Sequence, residues 1–74
     1  MTSKLIGIES STSKSLGVSP VIFRKLAKFE KLQSPVTITG VAQSGKSHKS
    51  TYYNIILPDM TQVWAISGEN LITQ

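Results

Sequence analysis

The segment from Ser13 to Leu32, which decides the predicted fold, reads Ser-Lys-Ser-Leu-Gly-Val-Ser-Pro-Val-Ile-Phe-Arg-Lys-Leu-Ala-Lys-Phe-Glu-Lys-Leu. Its second half predicts a helix from Pro20 to Lys31. Ser19 supplies an N-cap hydroxyl, and Pro20 occupies the first helical position, where a missing N–H costs nothing. The helix is expected to stop before Pro35, because the residue preceding a proline is disfavoured in the α region.

This helix has an apolar face and a basic face. Apolar residues recur at helical spacing, which predicts a side that packs on a core. They are Ile22, Phe23, Leu26, Phe29 and Leu32, with Ala27 at the margin. The opposite side carries Arg24, Lys25, Lys28 and Lys31.

Length and charge limit the possible functions. The chain has 74 residues, no cysteine and a net charge of +4, which predicts one small domain spanning residues 1–74 without disulfides or thiolate metal sites. All eight Lys and Arg residues precede residue 50, whereas Asp59 and Glu69 follow it. This asymmetry favours a polyanion-binding half. With no apolar run of transmembrane length and no signal peptide, we expect a cytoplasmic protein that does not bind membranes.

The rest of the chain predicts short strands separated by polar turns. β-branched content and alternation mark the strands, and proline, glycine and aspartate mark the turns. The predicted strands are Lys4–Glu9, Val36–Val41, Thr51–Leu57 and Gln62–Ile66, with Glu69–Gln74 as a helical turn or a last short strand. Together with the helix this gives a β-α-β-β-β order, in which the last three strands form an antiparallel meander.

The residues before the helix carry a family resemblance. Leu16-Gly17-Val18-Ser19-Pro20, followed by apolar residues and Arg24, resembles the turn and second helix of helix-turn-helix DNA-binding proteins, in which glycine makes the turn between the helices. The first helix would then span about Glu9 to Leu16, where residues that compete with the helical backbone are abundant.

The stretch Phe29–Ile38 extends that resemblance. It is similar to the end of the second helix and the turn into the wing in phage excisionases and MerR-type regulators. The resemblance implies an α+β winged helix, with the helix in the major groove and Thr51–Ile66 as the wing. The late strands resemble SH3-like barrels of the Tudor and KOW type, which implies an alternative fold and a protein-interaction module.

A phosphate-binding loop is the third hypothesis. Gly40-Val-Ala-Gln-Ser-Gly-Lys-Ser47 satisfies the pattern G-x-x-x-x-G-K-[ST]. Such a loop opens a helix in a parallel sheet, whereas the residues after Ser47 predict strands. Contact with nucleic-acid phosphates by Lys46, His48 and Lys49 is more credible for this loop than nucleotide hydrolysis, and a solvated hairpin loop is the equal alternative.

Three aromatic residues have two interpretations. Tyr52 and Tyr53 face opposite sides of a strand, and Trp64 lies in the next one. An exposed group would form a base-stacking platform. We expect Trp64 to be a core residue, because a small domain needs its aromatics for packing.

These patterns favour a small DNA-binding regulatory or architectural factor of phage or mobile-element type, and not an enzyme. We expect no cofactor and no metal. DNA is the favoured partner, a homo-oligomer and a protein partner stay open, and the alternative is the SH3-like protein-interaction module. The predicted nucleic-acid-binding residues are Ser19, Pro20, Val21, Arg24, Lys25, Lys28, Lys31, Lys46, His48 and Lys49.

Overall fold

The computed structural model describes residues 2–11 and 16–73. In these residues the chain forms one long helix, α1, and a five-stranded antiparallel sheet. The elements are β1 (Thr2–Leu5), α1 (Pro20–Lys31), β2 (Pro35–Gln43), β3 (Tyr52–Ile56), β4 (Gln62–Ser67) and β5 (Leu71–Thr73), with short 3₁₀ turns at His48–Ser50 and Gly68–Asn70. The predicted α+β class is therefore confirmed.

The sheet has the strand order β4-β3-β2-β1-β5. The meander of β2, β3 and β4 is as predicted, but β1 enters between β2 and β5. Residues 36–74 therefore do not close on themselves as a barrel. The hairpin Thr51–Ile66 is also not a projecting wing, because Ile55, Val63 and Ile66 are buried in the core.

Helix α1 has the predicted bounds and cap. The Ser19 hydroxyl accepts a hydrogen bond from the Ile22 N–H at 3.3 Å. The helix ends before Pro35 is reached: Gln33 adopts φ 56°, and the Ser34 N–H donates to the Phe29 carbonyl at 3.0 Å. This left-handed cap satisfies the last carbonyls of the helix. It also turns the chain away from the core, so Leu32 is exposed, contrary to prediction.

The hydrophobic core lies between α1 and one face of the sheet. Leu26 is the fully buried residue of the helix, and Ile22, Phe23, Ala27 and Phe29 pack against the core from its edges. The buried apolar residues are Leu5, Ile8, Leu26, Val36, Ile55, Leu57, Val63, Ile66 and Leu71.

The N-terminal segment differs from the prediction. Strand β1 occupies Thr2–Leu5 instead of Lys4–Glu9, because its pairing with β2 and β5 begins at its first residues. Gly7, at φ 70°, then starts a turn. In the helix predicted from Glu9 to Leu16, Glu9, Ser10 and Ser11 form turns and a bend, Leu16 is helical, and residues 12–15 lie outside the described residues.

Strand β4 contains a bulge that changes which side chains face the core. Tyr53 pairs with Ile66 and Ile55 pairs with Val63, so Asn54 alone faces two residues. Ala65 takes the extra position with φ 60°. Regular alternation along the predicted strand Gln62–Ile66 would place Val63 and Ala65 on one face and Trp64 and Ile66 on the other. The bulge makes that pattern wrong, because one inserted residue reverses the phase. Val63 and Ile66 are both buried.

Candidate nucleic-acid interface

Three cations form a stripe on the exposed side of α1. Arg24, Lys28 and Lys31 are spaced by four and three residues, which places them on one helical face, and all three are exposed. Val21, which is 60% exposed, lies at the start of the same face. The stripe points to solvent because Leu26 anchors the opposite side in the core. We call Arg24, Lys28 and Lys31 the helix stripe.

The helix stripe has no carboxylate partner in the described part of the chain. There the one ion pair joins Lys25 to Asp59, with 3.3 Å between Nζ and Oδ2. Lys28 lies near an aromatic ring instead, with its Nζ 6.0 Å from the Phe29 centroid. The three cations of the stripe are therefore available to an anionic partner.

Two of the four carboxylates are used inside the fold. Glu30 accepts a hydrogen bond from the backbone N–H of Ile8, which ties the helix to the segment after β1. Asp59 accepts from the backbone N–H of Thr61 at 3.0 Å. Hydrogen bonds from the Thr61 hydroxyl and backbone, and then the hydrogen bond and charge of Lys25, lower the pKa of Asp59. These contacts engage both carboxylates within the fold, and neither carboxylate pairs with a cation of the stripe in the described residues.

Lys25 differs from its neighbours on the helix. Its Nζ donates to the Thr61 hydroxyl at 3.1 Å besides pairing with Asp59, and its side chain is 40% exposed. These bonds fasten α1 to the turn between β3 and β4. Lys25 was predicted to lie near DNA bases, but in the structure it serves the fold, as do Ser19 as the N-cap and Pro20 as the first helical residue.

The loop before β3 holds the other predicted cations. Lys46, His48 and Lys49 are exposed, but the two ring nitrogens of His48 already have partners. Nδ1 lies 3.1 Å from the Tyr53 hydroxyl, and Nε2 donates to the Leu71 carbonyl at 2.9 Å. His48 therefore joins the loop to β3 and β5, while Lys46 and Lys49 extend from it.

The phosphate-loop pattern at residues 40–47 does not form a phosphate cradle. Strand β2 continues to Gln43, and the next turn is only the 3₁₀ segment His48–Ser50. The Gly45 N–H donates to the Thr51 hydroxyl and the Ser47 N–H donates to the Ser50 hydroxyl. Because these backbone donors are satisfied internally and no long helix follows, the geometry of a nucleotide-hydrolase loop is missing.

The cations of α1 and those of the loop before β3 do not form one continuous basic patch. Lys25 contacts the turn that follows β3, whereas Lys46 and Lys49 precede the first residue of β3. A strand of five residues separates these two ends by roughly 13 Å. The predicted site therefore divides into the helix stripe and a basic loop at the other end of β3.

Trp64 was predicted to lie in the core, and that prediction was wrong. Trp64 is 63% exposed and lies opposite Asn54 at the bulge. With Thr39, Asn54, Ile56 and Gln62 it lines a groove of about 390 Å³. Trp64 and Gln62 also line a second groove, beside Ser19 and Ile22 at the start of α1. The sequence carries no signal for this bulge, because Val63, Trp64, Ala65 and Ile66 are all apolar.

Comparison of the chain with protein-family models, curated proteins and solved structures found no match in any of the three. Within residues 2–11 and 16–73, no helix is long and apolar enough to cross a membrane, and His, Asp and Glu side chains form no cluster that would hold a metal ion.

Proposed function

We propose that this protein binds nucleic acid, with duplex DNA as the favoured target, as a small cytoplasmic regulatory or architectural factor. The observation that carries the proposal is the helix stripe: three exposed cations on one face of a capped helix, without a carboxylate partner in the described residues. The helix is about 18 Å long by its twelve residues. Its exposed side matches a helix that enters the major groove.

The charge of the stripe favours contact with phosphates. Lys28 and Lys31 lie in the last turn of the helix and are exposed, so they can contact backbone phosphates. Arg24 lies nearer the N-terminus and carries the planar donor set that pairs with a guanine edge. Val21 adds an exposed apolar contact at the leading end.

Salt dependence tests this assignment. If three cations displace counterions from duplex DNA, the logarithm of the binding constant falls with the logarithm of salt concentration at a slope of about −2.7. That slope weakens binding about 40-fold between 50 and 200 mM salt. We would measure it by fluorescence polarisation with a labelled generic duplex.

Two triple variants distinguish DNA binding by the helix stripe from attraction of DNA by the net charge of the chain. Arg24→Gln/Lys28→Gln/Lys31→Gln removes the stripe, and Lys4→Gln/Lys46→Gln/Lys49→Gln removes the same charge elsewhere. The proposal expects the first variant to lose the salt-dependent binding. The second variant removes the predicted phosphate contacts of the basic loop and is expected to lose less binding than the first. Equal losses would show attraction by net charge alone and would contradict the assignment to the helix.

A protein-interaction module is the second candidate. It is favoured by the helical turn Gly68–Asn70 between β4 and β5, because SH3-like barrels resemble this chain in their late strands and in a single helical turn. An NMR titration distinguishes the candidates. Amide shifts along α1 that weaken with salt support the DNA proposal, and no shifts with duplex at any salt concentration favour a protein partner.

A further inference from the structure

The side of β3 and β4 that is opposite the buried residues exposes two aromatic side chains. Trp64 is 63% and Tyr52 is 40% exposed, while Tyr53, between Tyr52 and Asn54, packs against the core. Alternation along β3 therefore places Tyr52 and Asn54 on the same side as Trp64. We call Thr39, Tyr52, Asn54, Gln62 and Trp64 the outer face.

The pairing of β3 with β4 places Tyr52 diagonally opposite Trp64 on the neighbouring strand. Asn54 faces the bulge that contains Trp64, and Tyr52 lies two residues before Asn54. Diagonal neighbours of this kind are about 7–8 Å apart between strands, a distance that two adjacent aromatic groups of a ligand can cover. We propose that the outer face binds unpaired nucleobases, which stack on Trp64 and Tyr52.

The bulge holds Trp64 in its exposed position. Asn54 Oδ1 accepts a hydrogen bond from the Ala65 N–H at 3.2 Å, and Ala65 has the left-handed φ of 60° that this geometry needs. The core is complete without the indole, because Val63 and Ile66 on either side of the bulge are buried. The side chain with the largest apolar surface in the chain is thus left available for a ligand.

The polar neighbours of Trp64 favour a base over an apolar peptide, and Ile56 in the same groove adds apolar surface that the plane of a base can cover. The side-chain amide of Gln62 makes no hydrogen bond in the described residues, and the Asn54 amide N–H groups have no acceptor there. These groups can pair with base edges, whereas an apolar partner would bury them without partners at a free-energy cost. Thr39 is already engaged, because its hydroxyl donates to the Asn54 carbonyl at 3.2 Å.

The charge beside the outer face complements a nucleic-acid strand. The loop that leads into Tyr52 carries exposed Lys46 and Lys49, and none of the five outer-face residues is acidic. Aromatic platforms bordered by cations are the usual arrangement for single strands, in which bases stack and phosphates follow the positive charge. The outer face shares no residue with the helix stripe, so base stacking on the outer face does not depend on duplex binding by the helix.

The test uses the intrinsic fluorescence of Trp64, the one tryptophan of the chain. We would titrate the full chain with a dT 12-mer and with an abasic 12-mer that has the same phosphates and no bases. The proposal expects quenching by the dT 12-mer and little or none by the abasic strand. Equal quenching by both strands, or quenching by neither, would overturn it.

Variants are read by polarisation of a labelled dT 12-mer. Trp64→Leu is expected to weaken binding about 5- to 150-fold, the effect of losing one stacked base. Met60→Ala is the matched control, because Met60 is an apolar residue, 76% exposed, in the turn next to β4, and it should bind like the natural chain. Circular dichroism melting establishes that both variants fold. Unchanged binding by a folded Trp64→Leu variant would refute the proposal.

Two further measurements distinguish base stacking on the outer face from duplex binding by the helix and from self-association. The Arg24→Gln/Lys28→Gln/Lys31→Gln variant should lose duplex binding and keep quenching by the dT 12-mer. If the duplex result fails and this quenching persists, only the helix proposal is wrong. A shift of Trp64 emission with protein concentration, in the absence of nucleic acid, would show that a second copy of the chain covers the outer face and would contradict the proposal.

Discussion

The Ala65 backbone N–H donates to Asn54 Oδ1 at 3.2 Å, and this bond closes the bulge that turns Trp64 outward. Ala65 has φ 60°, a conformation that costs an L-residue roughly 1–2 kcal/mol. The bulge is therefore maintained by burial of Val63 and Ile66 on its two sides, against the local preference of the backbone.

Replacement of Ala65 tests this strain. Ala65→Gly is expected to raise the free energy of unfolding by about 0.5 kcal/mol, because relief of the positive φ exceeds the flexibility that glycine adds to the unfolded chain. Ala65→Val is expected to lower it by more than about 1 kcal/mol. Urea denaturation measures both. A more stable valine variant would show that residue 65 does not adopt the left-handed conformation.

Ser3 is buried with a hydroxyl that has no hydrogen-bond partner among the described residues. Ser3→Ala should raise the free energy of unfolding by about 1 kcal/mol, since the desolvated oxygen is removed without loss of a bond. In a domain of this size that corresponds to a rise of about 4–8 °C in Tm.

Ser67→Ala is the matched control for Ser3. The Ser67 hydroxyl donates to the Lys49 carbonyl at 3.2 Å and accepts from the Glu69 N–H, so its removal should lower Tm. If Ser3→Ala lowers Tm as Ser67→Ala does, the Ser3 hydroxyl makes a hydrogen bond in the folded chain.

The lowered pKa of Asp59 predicts how the stability of the folded chain depends on pH. Its pKa is lowered from 3.8, first by hydrogen bonds from Thr61 and then by Lys25. The folded chain therefore binds a proton at Asp59 less readily than the unfolded chain does. Its contribution to stability is complete above the unfolded pKa and is lost as pH falls through the lowered folded value.

Denaturation midpoints from pH 6 to pH 2.5 measure this effect. Asp59→Asn should lose stability at pH 6 and show a smaller further loss on acidification than the natural chain. Glu69→Gln is the control, because its side chain is exposed and makes no hydrogen bond in the described residues. An unchanged pH profile in Asp59→Asn would contradict the role of the Thr61 and Lys25 contacts.

Gly68 lies where the two 3₁₀ turns meet. A Cβ atom there would be 1.8 Å from the His48 carbonyl oxygen, and the Gly68 N–H donates to the Thr51 carbonyl at 2.8 Å. Gly68→Ala should lower the free energy of unfolding by about 3 kcal/mol or more, because backbone must move to admit the methyl group.

Gly40→Ala is the control for this clash. Its Cβ would meet only the Asn54 amide nitrogen, at 4.0 Å, so thermal denaturation should show a small change in Tm. Similar Tm values for the two alanine variants would mean that the turns at residues 48–50 and 68–70 do not pack as closely as described.

Local sequence signals predicted helix α1 correctly. The Ser19 cap, Pro20 and the apolar spacing that buries Leu26 all act within a few residues, and they agree with one another. The meander and its turns were predicted for the same reason, because strand composition and turn residues are local.

Long-range pairing decided the features that local sequence patterns did not predict. Strand β1 lies between β2 and β5 because partners distant in the chain complete its hydrogen bonds. His48 was predicted as a phosphate contact, but residues 53 and 71 occupy its ring nitrogens. Neither the position of β1 in the sheet nor the contacts of His48 can be predicted from a pattern among neighbouring residues in the sequence.

The sequence by itself determined the helix, its basic stripe and the α+β class, since periodicity and capping act along one segment of chain. Only the tertiary structure decided that Lys25 is paired with Asp59 and that Trp64 faces solvent. The first depends on a turn 34 residues away in the chain. The second depends on a bulge that the core imposes, because burying Val63 together with Ile66 reverses the alternation of β4.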